Sequence, residues 1–112
     1  MRARAAPIRR FDIYLVNLDP TMGAEIRKTR PCLVVSPDDM HRHIRTVIVA
    51  PMTSSVHAYP TRVAIRFRRK EGEVALDQLR AIDKTRLVRR LGAADRAISA
   101  TVAARLVELF TL

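Results

Sequence analysis

The chain has 112 residues, enough for one compact domain and too few for two; a domain of this size buries roughly two-thirds of its unfolded surface. Lys and Arg number 21 against 11 Asp and Glu, and the resulting charge of +10 points to a polyanionic partner. A hydrophobic content of 48% excludes a disordered polycation, and so few aromatics, with no Trp, argue against strand binding driven mainly by base stacking.

Residues 1–8 read as a flexible basic tail and residues 9–112 as one domain. No apolar stretch follows the basic start, so no signal peptide is expected, and no run approaches a membrane span. The expectation is a soluble cytoplasmic protein. Phe11 to Leu18 predicts a strand buried on both sides, with Ile13, Leu15 and Asn17 on one face and Tyr14, Val16 and Leu18 on the other. Residues 19–30 form a polar loop turning at Gly23. Cys32 to Ser36 and Thr46 to Pro51 predict two further apolar strands, separated by a charged segment over 37–43. Cys32, the single cysteine, can make no internal disulfide and reads as a small buried hydrophobe. His41 and His43, even with Asp38 and Asp39, lack a ligand pattern for a metal.

Thr61 to Phe67 alternates, with Val63, Ile65 and Phe67 inward and Arg62, Ala64 and Arg66 outward. Arg68 to Gly72 reads as a hairpin tip returning through Val74, Ala75 and Leu76. Asp83 caps a short helical turn, and Asp95 caps a final helix with the stripe Ile98, Val102, Leu106, Leu109. The apolar end through Phe110 and Leu112 is expected to dock on the barrel or on a second subunit. Five to seven short strands and a C-terminal helix make a mainly β fold (α+β), a small, strongly bent antiparallel barrel or half-barrel.

Three segments could carry chemistry. Gly23 to Pro31 holds Glu25, Arg27, Lys28 and Arg30, and Pro31 keeps Arg30 extended. A guanidinium so fixed can clamp a phosphate, although a solvated loop with a Glu25–Arg30 pair is equally compatible with composition. Thr53, Ser54 and Ser55 can hydrogen-bond a phosphate or cap a turn. Asp77, Gln78 and Arg80 gather carboxylate, amide and guanidinium at one strand end, the latter two able to read bases or phosphates.

The ordered pieces Phe11-Asp-Ile-Tyr14, Asn17-Leu-Asp-Pro20, Gly23-x-Glu25, Lys28-Thr-Arg-Pro31, Leu33-Val-Val35, Val49-Ala-Pro51, Thr53-Ser54, Asp77-Gln-x-Arg80, Ile82-Asp-Lys84 and Gly92 resemble the MazF/PemK (Kid) toxin family. The resemblance implies a homodimeric barrel of the CcdB/Kid/MazF type in a type II toxin–antitoxin system. It also implies a metal-independent, cofactor-free, sequence-selective endoribonuclease acting on single-stranded RNA. Its partner would be a MazE-like antitoxin, acidic and partly disordered, through which alone operator DNA would be met. Position by position, the catalytic residues implied are Arg30, Thr53, Glu25 and Asp77, with Arg27, Lys28, Ser54, Gln78 and Arg80 binding RNA. The sequence departs from the family pattern at Ala24, where the Kid branch has its loop His, and at Ala75, where that branch has an Arg. It departs also at Phe11, where the family's opening motif has Gly, and at Ala81 within Arg80-Ala-Ile-Asp83. A non-catalytic gyrase-binding toxin of the CcdB kind and a basic RNA-binding barrel are the competing classes.

Overall fold

The computed structural model describes residues 7–112, so most of the basic tail lies outside the described residues. Seven strands build the domain: β1 (Asp12–Asn17), β2 (Thr29–Val34), β3 (Thr46–Thr53), β4 (Arg62–Phe67), β5 (Lys70–Ala75), β6 (Arg80–Asp83) and β7 (Leu87–Ala93). Two helices, α1 (Asp38–His43) and α2 (Arg96–Leu109), complete it. All pairings are antiparallel, in the order β4-β5-β3-β2-β1-β7, with β6 on β3. The sheet curls until its outer strands approach each other. Arg68 Nη2 donates to the Leu91 carbonyl at 2.8 Å, and a Cβ on Gly92 would touch the Phe67 ring.

Alternation along β1, β2 and β3 sorts the core into two layers, as a sheet buried on both faces requires. Ile13, Leu33, Ala50 and Met52 join Val63, Ile65, Val74 and Leu76 on one face, closed by Val102 of α2. Tyr14, Val16, Cys32, Val34, Val47 and Val49 join Leu18 and Ile82 on the other. Cys32 is fully buried there, and burial pushes its thiol up to about 12 despite Arg80 and Arg30 nearby. It is inert packing, as expected.

The structure departs from the sequence reading in several places. The segment 37–43 contains α1, because the buried His41 anchors it: Nδ1 donates to the Ile8 carbonyl at 2.8 Å, and Nε2 lies 2.6 Å from Ser36 Oγ. Ile8 therefore belongs to the packed domain rather than to a flexible tail, and it packs on the second layer. β2 starts at Thr29, so Arg30 is a strand residue held by the ladder opposite Val16. Arg62 does not point into solvent: its side chain is 8% exposed, between Glu73 and Asp77. Finally, Phe110 and Leu112 stand exposed rather than on the barrel, the first of the two places expected for them.

Both predicted caps form, while the hairpin tip narrows from 68–72 to two residues and Leu109 of the expected helix stripe is exposed. Asp83 accepts from Thr85 N at 2.8 Å and Asp95 from Ile98 N at 2.8 Å, capping the two predicted helical segments. The β4–β5 hairpin turns through Arg68 and Arg69, both at positive φ as a two-residue mirror-type turn demands. Phe11, standing where the family pattern has Gly, takes a φ of 71° and packs its ring on the first layer.

β3 reaches β5 only at its end, where Met52 faces Val74 and Thr53 faces Glu73. A Cβ on Gly72 would fall 2.3 Å from the Thr53 carbonyl oxygen. Gly72→Ala is therefore expected to destabilise the fold by about 1–3 kcal/mol through a forced backbone shift. Urea unfolding checks this; an unchanged midpoint would remove the close approach from the account.

Candidate nucleic-acid cleavage site

Register brings the first two candidates together. Cys32 pairs with Pro51 in the β2–β3 ladder, and Arg30 and Thr53 lie two residues beyond each partner. Continued one step on the same face, that register sets Arg30 opposite Thr53. Both belong to the face that carries Cys32 and Val49. Arg30 Nε donates to the Arg27 carbonyl at 2.9 Å and Nη1 to the Met52 carbonyl at 3.4 Å. Of the five guanidinium N–H groups, three then have no partner among the described residues. Thr53 Oγ1 accepts from Ser55 N at 3.1 Å, which leaves its hydroxyl hydrogen free to donate. Arg30 and Glu25 form no ion pair among the described residues.

Two loops flank this pair. The first, between β1 and β2, carries Glu25, Arg27 and Lys28. Gln78 Oε1 accepts from Ile26 N at 2.7 Å, Gln78 Nε2 donates to the Ala24 carbonyl at 3.1 Å, and Arg80 Nη2 donates to the Ile26 carbonyl at 2.8 Å. Lys28, at a φ of 75°, donates its N–H to Asp19 Oδ1 at 3.2 Å. Gln78 and Arg80 thus hold the loop's backbone through these contacts. Glu25 Oε1 accepts from Met22 N, and its second oxygen carries no bond among the described residues.

The second loop, between β3 and β4, contains Ser54 at its start and rests on a buried ion network that the sequence did not reveal. Glu73, 3% exposed, takes the N–H of His57 at 3.0 Å and of Ala58 at 2.8 Å. Arg62 lies 3.5 Å from Glu73 and grips Asp77 with Nε at 2.7 Å and Nη2 at 3.2 Å. Thr61 Oγ1 donates to Asp77 at 3.0 Å. Burial would raise the Glu73 carboxyl, but its two N–H donors and Arg62 together hold it below its usual range. Asp77 behaves likewise: burial pushes up, and the Arg62 and Thr61 hydrogen bonds carry it down. Asp77 is therefore engaged by Arg62 and Thr61. Arg62 faces Ala75 across the β4–β5 ladder.

A cavity of about 450 Å³ reaches Arg30, Thr53 and Ser54. Most of its wall is the other face: Leu15, Pro31, Ile65, Phe67 and Leu91, rimmed by Arg68, Lys70 and Arg89. Among the described residues, no cluster of His, Cys, Asp and Glu has the arrangement of a metal site.

A small, curled antiparallel barrel sets an arginine with unpartnered N–H groups and a hydroxyl between two pinned loops, one of them cation-bearing, an arrangement able to receive a phosphate. A family model of PemK-like, MazF-like toxins of type II toxin–antitoxin systems matches residues 9–110, and the chain belongs to that family. It is 36% identical over 90 residues to the endoribonuclease MazF of Staphylococcus epidermidis, covering 75% of each chain. The solved MazF of Deinococcus radiodurans superposes with a TM-score of 0.84 at 25% identity, over 96% of this chain and 100% of that one. A mycobacterial endoribonuclease solved with its cognate antitoxin shares the fold, with a TM-score of 0.76 at 24% identity over 90% and 92% of the two chains.

The depressed carboxyl of Glu73 fixes a direction for pH dependence. Its stabilisation is complete above the pH where unfolded carboxyls ionise, and is lost as pH falls through the lower folded value. Glu73→Gln should lower stability at neutral pH and flatten the acid limb of the stability curve, as read by urea unfolding between neutral and acid pH. An unaltered acid limb would show that the loop does not depend on this charge.

Proposed function

We propose that this toxin is a cytoplasmic endoribonuclease that cuts single-stranded RNA without a metal, by attack of a 2′-hydroxyl on the adjacent phosphorus. The opposition of Arg30 and Thr53 carries this reading. The 2′-oxygen forms a bond to phosphorus as the bond to the 5′-oxygen breaks, leaving a 2′,3′-cyclic phosphate and a 5′-hydroxyl. Arg30 turns its free N–H groups on the charge that builds on the phosphorane, in the manner of preorganised donors. An arginine stays protonated in proteins, so it cannot serve as the base. Thr53 donates to a non-bridging oxygen and holds the phosphate in line.

Of the two carboxylates in question, Asp77 is committed to Arg62 and Thr61, whereas Glu25 keeps an oxygen free on an exposed loop. Glu25 is assigned to take the 2′-proton, and the departing 5′-oxygen is protonated through the solvated groove. Arg27, Lys28 and Ser54 hold the flanking backbone. Gln78 and Arg80 act on RNA through the loop they pin.

The family implies an antitoxin, and two observations support an acidic, partly disordered one on a homodimeric toxin. The charge of +10 speeds capture of an acidic chain. The exposed Val107, Leu109, Phe110 and Leu112 form an apolar end that a second protein surface would cover. A structure of MazE–MazF from Deinococcus radiodurans, at a TM-score of 0.77 and 23% identity, holds the two proteins of that pair together. Operator DNA would be met only through the antitoxin.

Arg30→Ala should lower the cleavage rate by about 10²–10³ or more with RNA affinity largely kept. The wild-type protein should cut in EDTA, leaving 5′-hydroxyl ends. Incubation with a defined RNA and mapping of the ends decides both. Wild-type cutting by Arg30→Ala would defeat the assignment, and salt-sensitive binding without any cleavage would favour a basic RNA-binding barrel.

A further inference from the structure

The loop after Thr53 carries two rings that the proposed chemistry leaves unused. His57 and Tyr59 are both exposed, and their rings stack with centroids 5.1 Å apart and planes 6° from parallel. The Arg62 guanidinium lies 5.3 Å from the centre of the Tyr59 ring. Neither ring belongs to either apolar layer of the core. Exposed side chains lose rotamer freedom when they stack, and nothing in the core repays that here. What holds the rings in place is their backbone. Glu73 takes the N–H groups of His57 and Ala58, Ala58 adopts a φ of 55°, and Arg105 of α2 donates to the Pro60 carbonyl at 2.8 Å. A buried carboxylate thus keeps an aromatic stack presented to solvent on a strongly cationic protein.

We propose that His57 and Tyr59 form a stacking platform for a nucleobase of the RNA strand next to the phosphate held by Arg30 and Thr53. The identity of that strand rests on the endoribonuclease reading. Every base offers a π-face, and single-stranded RNA is bound by stacking splayed bases on rings that are already positioned. His57 lies four chain steps from Thr53, a reach of at most ~14 Å, so a strand anchored at Thr53 can cross the platform. Preorganisation by Glu73 lowers the cost of ordering the loop on binding. The platform contributes affinity and base preference; the chemical step remains with Arg30 and Thr53.

The test uses the full chain and a short, labelled, random-sequence strand with 2′-O-methyl sugars, which binds but cannot be cut. His57→Ala and Tyr59→Ala should each weaken its binding about tenfold, the scale of one lost stack. His57→Phe and Tyr59→Phe keep the rings and should hold affinity within about twofold. With a cleavable RNA the alanine losses should fall on KM rather than kcat. Circular dichroism and thermal unfolding establish that each variant is folded. The platform is refuted if the alanine variants bind as wild type, or if the phenylalanine variants fail as the alanine ones do. Binding losses in a wild-type background that cuts no RNA would overturn the cleavage reading while upholding the platform.

Discussion

The register of β2 against β3 is the constraint on which the rest depends. Cys32 opposite Pro51, Leu33 opposite Ala50 and Val34 opposite Val49 carry Arg30 and Thr53 to the same end of the ladder, two residues beyond its last pair. A slip of one residue would turn every side chain of β2 to the other face. Such a slip is resisted on both sides, because Leu33 is fully buried in one layer and Cys32 and Val34 in the other. The apolar core thus sets the position of a cation and a hydroxyl, and no contact within the site itself is needed to place their backbones.

From that fixed pair, the two flanking loops are held by different physical means. The loop carrying Glu25, Arg27 and Lys28 hangs on neutral and singly charged hydrogen bonds from Gln78 and Arg80 to its backbone. The loop carrying His57 and Tyr59 is fastened by an almost wholly buried carboxylate and its arginine. A buried ion pair contributes modestly to net stability, but removing one partner is costly. Broad charge attracts the polyanion; these few fixed groups select how it lies.

Much of the fold was legible because its signals are local. Continuous apolar runs mark β1, β2 and β3, two-residue alternation marks β4, and Asp83 and Asp95 cap the segments they precede. Arg30 and Thr53 were legible through the family pattern. Arg62, Glu73 and the roles of Gln78 and Arg80 were not, since each is decided by contacts between segments far apart in the chain. Arg62 occupies an outward position of its strand, yet a returning loop and the Asp77 carboxylate cover it. The scarcity of aromatics pointed away from base stacking; one tyrosine and one histidine on a fastened loop make a local exception. The charged segment at 37–43 became helical through His41, whose partners Ile8 and Ser36 are tertiary.

The central claim is that Arg30 and Thr53 act on one phosphate. A double-mutant cycle of single-turnover cleavage rates with Arg30→Ala, Thr53→Val and the double variant tests it most directly. Groups working as a unit should give a double variant scarcely slower than Arg30→Ala alone. Losses that multiply in full would contradict the account, since they would mean that the two side chains contribute independently.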